Sequence, residues 1–205
     1  MRTYIDRTLH QGIACWPGDT AFDHQENAWE TVRVGSVTMS LHTGTHIDAP
    51  RHLIGKSLGV DTISDDILCG QADIVDARGH AELSADLFVH VTSPRVLIRT
   101  DAWLDSTVFP MTYPLLTEAA AQLLANRGIV LFGIDLPSVD AVDSKDLPNH
   151  HILMGAGITL CEGLDFSSSN VAAGNANVMI VPFAIMGADA APARAWLEDI
   201  SQQFA

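Results

Sequence analysis

Within eleven residues, His42-Thr-Gly-Thr-His-Ile-Asp-Ala-Pro-Arg-His52, the chain places His42, His46, Asp48 and His52 at offsets of 0, 4, 6 and 10. Three imidazoles and a carboxylate are the donors that a borderline-soft divalent cation such as zinc binds best. One histidine in a turn-rich segment reads as a local hydrogen-bonding residue. Four candidate donors in one short window, from a chain with nine histidines in all, read as a metal site. The chemistry such a site offers is hydrolysis, because a bound cation acidifies water and polarises a carbonyl.

What the offsets mean depends on the backbone that carries them. On a helix, His42 and His46 would share a face, as in the zinc-protease HExxH pattern. Against a helix stand the β-branched Thr43, Thr45 and Ile47, the helix breaker Gly44, and Pro50. The preceding run, residues 32–41, alternates as a strand does. In extended chain all four donors have the same parity and leave on one face. Bends at Gly44 and Pro50 would let them converge on a point.

The rest of the chain supplies elements that could position this segment. Strand-like runs recur at 72–77, 95–99, 129–135, 158–161 and 178–183. The clearest helix is 117–128, with Thr117 or a neighbour as N-cap and Gly128 at its end. Residues 82–88 and 192–200 also read as helical, the second with Pro192 in its first turn. Strands and helices interleaved in this way imply an α/β fold with a mixed sheet, and the 205 residues are expected to form one domain, 1–205.

Composition narrows the function. A formal charge of −14 repels nucleic acid phosphates, and there is no basic stripe to offset it. Asp61, Asp65 and Asp66 read as a solvated loop or helix start. No run approaches the roughly 18 apolar residues of a membrane span, and the amino terminus lacks the apolar stretch of a signal peptide. Three scattered cysteines, Cys15, Cys69 and Cys161, with no CxxC pair, fit a reducing cytoplasm. Cys15 and Cys161 adjoin site candidates but have no sequence-local activating partner, so they read as packing residues. His10, His24, His80 and His90 stand apart from any motif.

A second group lies downstream: His150-His151, and Glu162 at the end of the apolar run Ile158-Thr-Leu-Cys161. A carboxylate there is costly to bury without a partner. An arginine is the commoner partner. Beside the first cluster, His150 and Glu162 suggest two further ligands, enough for two metals bridged by Asp48 and Glu162.

Taken in order, Trp16-Pro-Gly-Asp19, the 42–52 motif, Gly133-Ile-Asp-Leu-Pro-Ser-Val-Asp140, Asp143-Ser-Lys145, His150-His151, Cys161-Glu-Gly163 and Gly187-Ala-Asp-Ala-Ala-Pro-Ala-Arg194 resemble the bacterial kynurenine formamidases (arylformamidases) of the metal-dependent cyclase family. The resemblance covers nearly the whole chain. It implies a homodimeric enzyme of swivelling β/β/α fold that uses two zinc ions to cleave N-formyl-L-kynurenine into L-kynurenine and formate; a His/Asp/Glu donor set also accepts manganese or cobalt. By the same resemblance, His42, His46 and Asp48 hold one metal, and Asp48 bridges to a second held by His150. Glu162 is shared between the two, His52 carries the proton, and Trp16 touches the substrate. Thr45 departs from the alanine common inside the family's motif, and residues 165–177 are richer in Ser, Ala and Asn than the family pattern.

Several assignments stay open on the residues alone. His52 could be a ligand instead, with His151 moving the proton. Trp16 could serve the core or a dimer interface. Asp135 could support a ligand or only a turn, and Arg51 or Lys145 could bind the amino-acid head group. Rival functions are another hydrolase or dehydratase on the same scaffold, a non-enzymatic metal-binding protein, and a metal-free serine hydrolase. The last would need a nucleophile elbow of the GxSxG type, a serine on a tight strand-to-helix turn.

Overall fold

The computed structural model describes residues 2–53, 55–167 and 171–198. Its strands in chain order are β1 (Arg2–Tyr4), β2 (Asp23–Trp29), β3 (Val32–Thr38), β4 (His46–Asp48), β5 (Cys69–Asp76), β6 (Glu82–Leu83), β7 (Arg95–Arg99), β8 (Leu115–Leu116), β9 (Leu131–Ile134), β10 (Thr159–Glu162), β11 (Gly174–Pro182) and β12 (Ala190–Glu198). The helices are α1 (Asp65–Leu68), α2 (Glu118–Ala125) and α3 (Pro148–Gly155), with short 3-10 turns at Pro50–His52, Val60–Thr62 and Ala85–Phe88.

Eight strands form one mixed sheet in the order β1-β12-β11-β5-β7-β9-β10-β4. The four neighbours β5, β7, β9 and β10 run parallel, and the remaining pairings are antiparallel. β4 also pairs with β12, so the sheet closes on itself like a barrel. Strand parity then divides the core. Ile47, Leu97, Leu131, Cys161, Val178 and Ile180 point inside the closed sheet. Val96, Ile98, Phe132, Ile134 and Leu160 point outward and pack under α2 and α3. β7 is apolar on both faces, as a parallel strand covered on both sides must be. Full burial of side chains such as Leu97, Ile98 and Phe132 contributes about 1.5–3 kcal/mol each.

Helix α2 begins where expected, with the Thr117 hydroxyl accepting from the Ala120 N–H at 3.2 Å. Helix α3 starts differently. Leu147 at its N-cap has left-handed backbone (φ 40) and no side-chain cap of its own. The carboxylate of Asp140 instead accepts the N–H groups of Asn149 and His150, each at 3.0 Å. An anion placed there satisfies orphan donors and complements the helix dipole.

Two helical expectations are overturned. Residues 192–198 belong to β12, not to a helix. Ala191, Ala193, Ala195 and Leu197 alternate into the core, and this period of two outweighs the helix propensity of alanine. Asp199 and Ile200, the end of that expected helix, lie outside the described residues. Residues 82–88 divide into the strand Glu82–Leu83 and a single 3-10 turn.

Candidate metal centre and active site

The closed sheet brings the two sequence-distant groups together by register. On β4, His46 and Asp48 leave one face while Ile47 enters the core on the other. β10 pairs with β4 so that Glu162 lies opposite His46 and Leu160 opposite Asp48. Residues opposite one another share a face, so Glu162 joins His46 and Asp48. That is the face covered by α3, which delivers His150.

The donor atoms converge. The Nε2 of His46 is 3.4 Å from Asp48 Oδ1 and 3.7 Å from Glu162 Oε2. The Nε2 of His150 is 3.4 Å from Glu162 Oε1 and 3.8 Å from Asp48 Oδ2. The Nδ1 of His42 lies 3.0 Å from Asp48 Oδ1. Two triads, His42-Asp48-His52 and His46-Asp48-Glu162, each hold their donor atoms within 4.8 Å of one another and share Asp48. His46, Asp48, His150 and Glu162 are all buried.

Outer contacts decide which nitrogen faces inward. The Nδ1–H of His46 donates to the carbonyl of Gly44 at 3.0 Å, and the Nδ1–H of His150 to Asp140 Oδ2 at 2.7 Å. Both rings therefore turn Nε2 to the centre, and in the neutral form Nε2 carries the lone pair. The Nε2 of His46 and both carboxylate oxygens of Asp48 are buried with no hydrogen-bond partner. His42 Nδ1 is near enough to Asp48 Oδ1 for a hydrogen bond but is not oriented to make one. Buried, unsatisfied donors and acceptors of this kind cost free energy unless a ligand completes them, and this donor set suits a divalent cation.

The charge balance agrees. Burial pushes the Glu162 carboxyl up to about 7, helped by the neighbouring Asp48 charge. Burial opposes ionisation of Asp48 as well, yet its contacts with His150, His42 and His46 hold it well below the usual carboxylate range. Burial works against the imidazoliums of His42 and His150, but their carboxylate partners raise them to about 9 and about 10. Without a cation the cluster gathers protons, and a cation would take their place.

The centre forms the floor of a cavity of about 630 Å³. His52, at the end of the turn Pro50–His52, reaches into it half-buried, its ring centroid 4.4 Å from that of His42. Distance leaves His52 able to act as ligand or as proton carrier. Trp16 forms part of the wall. It is set by a turn in which the Asp19 N–H donates to the Trp16 carbonyl and Gly18 takes φ +97, as the i+2 position of a type II turn requires. Phe109 meets Trp16 edge-on at 5.5 Å, and Trp103 packs behind Phe109 at 6.1 Å. Arg7 lies over Trp103 at 4.1 Å.

Other expectations separate here. His151, Arg51 and Lys145 are exposed and line no part of the cavity. Asp135 accepts from the Thr100 and Asp101 N–H groups and the Thr100 hydroxyl, a structural role. Cys161 is buried inside the sheet. Thr45 ties the histidine motif to the end of β10, because its hydroxyl donates to the Gly163 carbonyl at 2.6 Å and accepts the Arg7 N–H at 2.9 Å. Gly163 has φ +67 and lies against the Gly44 carbonyl, where a Cβ would collide. Sequence reasoning misses Asp140, Asp189, Trp103 and Phe109 as site residues. The two aspartates lie in motif stretches, but no spacing rule marks them.

The Cyclase family model matches residues 5–141 of this chain. A kynurenine formamidase of Geobacillus thermodenitrificans is 38% identical over 202 residues, covering 94% of this chain and 95% of its own. One from Bacillus cereus is 37% identical, covering 96% of each. A solved structure described as a predicted metal-dependent hydrolase from Bacillus stearothermophilus superposes with a TM-score of 0.83 at 26% identity, covering 96% of this chain and 97% of its own. Isatin hydrolase A from Labrenzia aggregata does so with a TM-score of 0.82 at 25% identity, covering 96% and 93%. Family model, full-length relatives and superposed folds agree: this chain belongs to the Cyclase family.

Proposed function

We propose that this chain is a metal-dependent amidohydrolase that converts N-formyl-L-kynurenine and water into L-kynurenine and formate, a step of tryptophan breakdown. The observation that carries the reading is the set of unpartnered buried atoms, His46 Nε2 and both Asp48 oxygens, in a cluster whose His42, His46, His150 and Glu162 line an aromatic-walled cavity. The full-length likeness to proteins named kynurenine formamidase supplies the substrate. In this reading the chain is one domain of swivelling β/β/α type, residues 1–205, and holds two zinc ions. His42, His46 and Asp48 would hold one ion, and His150 would hold the other, with Asp48 and Glu162 as further carboxylate ligands.

When bound, the ions supply acidified water and an electrophile for the formyl oxygen. The chain's own residues do the rest. Trp16 and Phe109 offer the substrate's aromatic ring a face and an edge. The C–N bond of the formamide breaks, and the arylamine must gain a proton as it leaves. His52, half-buried beside the centre, delivers that proton. The exposed Trp29, Val32, Val34 and Val37 of the β2–β3 hairpin support a homodimer, since a lone two-stranded hairpin is marginal in water. Three free thiols suit a cytoplasmic setting.

The test is hydrolysis of N-formyl-L-kynurenine by the purified protein, before chelation, after it, and after zinc is returned. Activity that vanishes and returns supports the reading, and turnover indifferent to chelation would sink it. Trp16→Ala should raise KM roughly 2- to 12-fold, the equivalent of about 0.5–1.5 kcal/mol of stacking. The likeness to isatin hydrolase favours a second reading, a cyclic amide substrate. A larger kcat/KM on isatin than on the formamide would select it.

A further inference from the structure

Asp189 immediately precedes β12, whose pairing places Ala190 opposite Asp48 on β4. It is firmly held. Its carbonyl accepts the Ala49 N–H at 2.8 Å, the neighbouring Ala188 carbonyl accepts Val60 N–H at 3.0 Å, and Asp61 Oδ1 accepts the Gly187 N–H at 2.8 Å. Gly59 packs so closely that a Cβ on it would come within 2.5 Å of Gly187 Cα. Asp61 is therefore an anchor for this loop as well as a solvated side chain.

The carboxylate of Asp189 faces His42, and His42 is the exception among the site's imidazoles. His46 and His150 turn Nε2 inward because a carbonyl and a buried carboxylate take their Nδ1 protons. His42 is reversed: Nδ1 lies 3.0 Å from Asp48 Oδ1, while Nε2 lies 3.1 Å from Asp189 Oδ2. An ionised carboxylate can only accept, so in the neutral ring that a cation would bind it keeps the proton on Nε2 and leaves the lone pair on Nδ1, the nitrogen on the side of the centre. The same oxygen is 3.8 Å from His52 Nδ1.

We propose that Asp189 is a positioning residue: it fixes the ring of His42 so that Nδ1, not Nε2, faces the metal centre. This rests on the reading of the cluster as a metal site. Asp189 is nearly half exposed, so its replacement should leave the fold intact. Zinc-loaded wild type, Asp189→Ala and Asp189→Asn are each titrated with a chelator. The alanine variant should release zinc at about 10- to 100-fold lower chelator concentration. The asparagine variant should fall between, because its amide oxygen still accepts the Nε2 proton. Nitrogen NMR of the His42 ring should show the Nε2–H tautomer in wild type and a mixture in the alanine variant. Equal zinc retention with an unchanged His42 tautomer overturns the proposal. Wild type that retains no zinc overturns the metal reading beneath it.

Discussion

The two halves of the centre reach Asp48 by different means. The 42–52 segment is covalently local: a bend at Gly44 orients His46 on its own loop carbonyl, and only His42 leans outward on Asp189. The half built from Asp140, His150 and Glu162 is assembled across the chain. Asp140 caps α3 and holds His150 Nδ1 with the same carboxylate, and Glu162 reaches the centre by strand register. The Val139 N–H donates to Glu162 Oε1 at 3.1 Å, so the turn before α3 also holds the second half together. The difference teaches that the first half carries the parity of His46 and Asp48 within the motif, while His42 needs Asp189 from outside it. The second depends on secondary structure being placed correctly.

Asp48 is common to both halves, so Asp48→Asn should be the most damaging change. Bound ions should fall below one per chain by elemental analysis, and turnover should drop more than about 10³-fold. A variant that kept two ions would mean the halves do not share this carboxylate. His52→Gln tests whether the first half ends at Asp48. If His52 moves a proton, kcat falls by about 10²–10⁴-fold with metal content intact. Loss of metal along with activity would instead make His52 a ligand.

Asp140→Ala strikes the second half alone. It should weaken metal retention about 10- to 100-fold by freeing the His150 ring. It should also cost about 0.5–2 kcal/mol of stability through the lost helix cap, read by denaturant unfolding. Asp140→Asn should be milder on both counts, since its amide oxygen can still accept. If the alanine variant affected the two halves equally, the division between them would dissolve.

The smallest effect provides the background against which both halves are read. Asp76, outside the centre, makes a two-point contact with Arg78 that lowers its pKa to about 2. Because its folded pKa lies below the ordinary 3.8, its contribution is complete above that value and is lost as pH falls through about 2. The stability difference between wild type and Asp76→Asn should therefore be constant near neutrality and shrink between those values. Ion loss in acid affects both proteins alike and cancels. A difference that stayed the same from neutrality to below pH 2 would refute the assignment.

The sequence carried unequal amounts of this. β3, β5, β7, β9, β10 and β11 could be read from apolar runs and alternation, and α2 from its cap. β12 could not, because Ala-Ala-Pro-Ala-Arg-Ala suits a helix locally and becomes a strand only by docking against β4 and β11. In the centre, the shared parity of His46 and Asp48 was legible because strand pleating follows from covalent geometry alone. Glu162 was suggested by an apolar run ending in a charge. Its placement opposite His46 depends on pairing over more than a hundred residues. Thr45 is a neutral departure as far as spacing goes, and only the fold shows its hydroxyl joining Arg7 to Gly163.

The sequence by itself determined the candidate donors, the face from which His46 and Asp48 emerge, and the aromatic turn at Trp16, because each follows from side-chain chemistry and local backbone preference. Only the tertiary structure decided that β4 closes the sheet between β10 and β12, that Asp140 serves both a helix end and a histidine, and that Asp189 meets His42. Those contacts depend on register between distant strands, which local spacing does not encode.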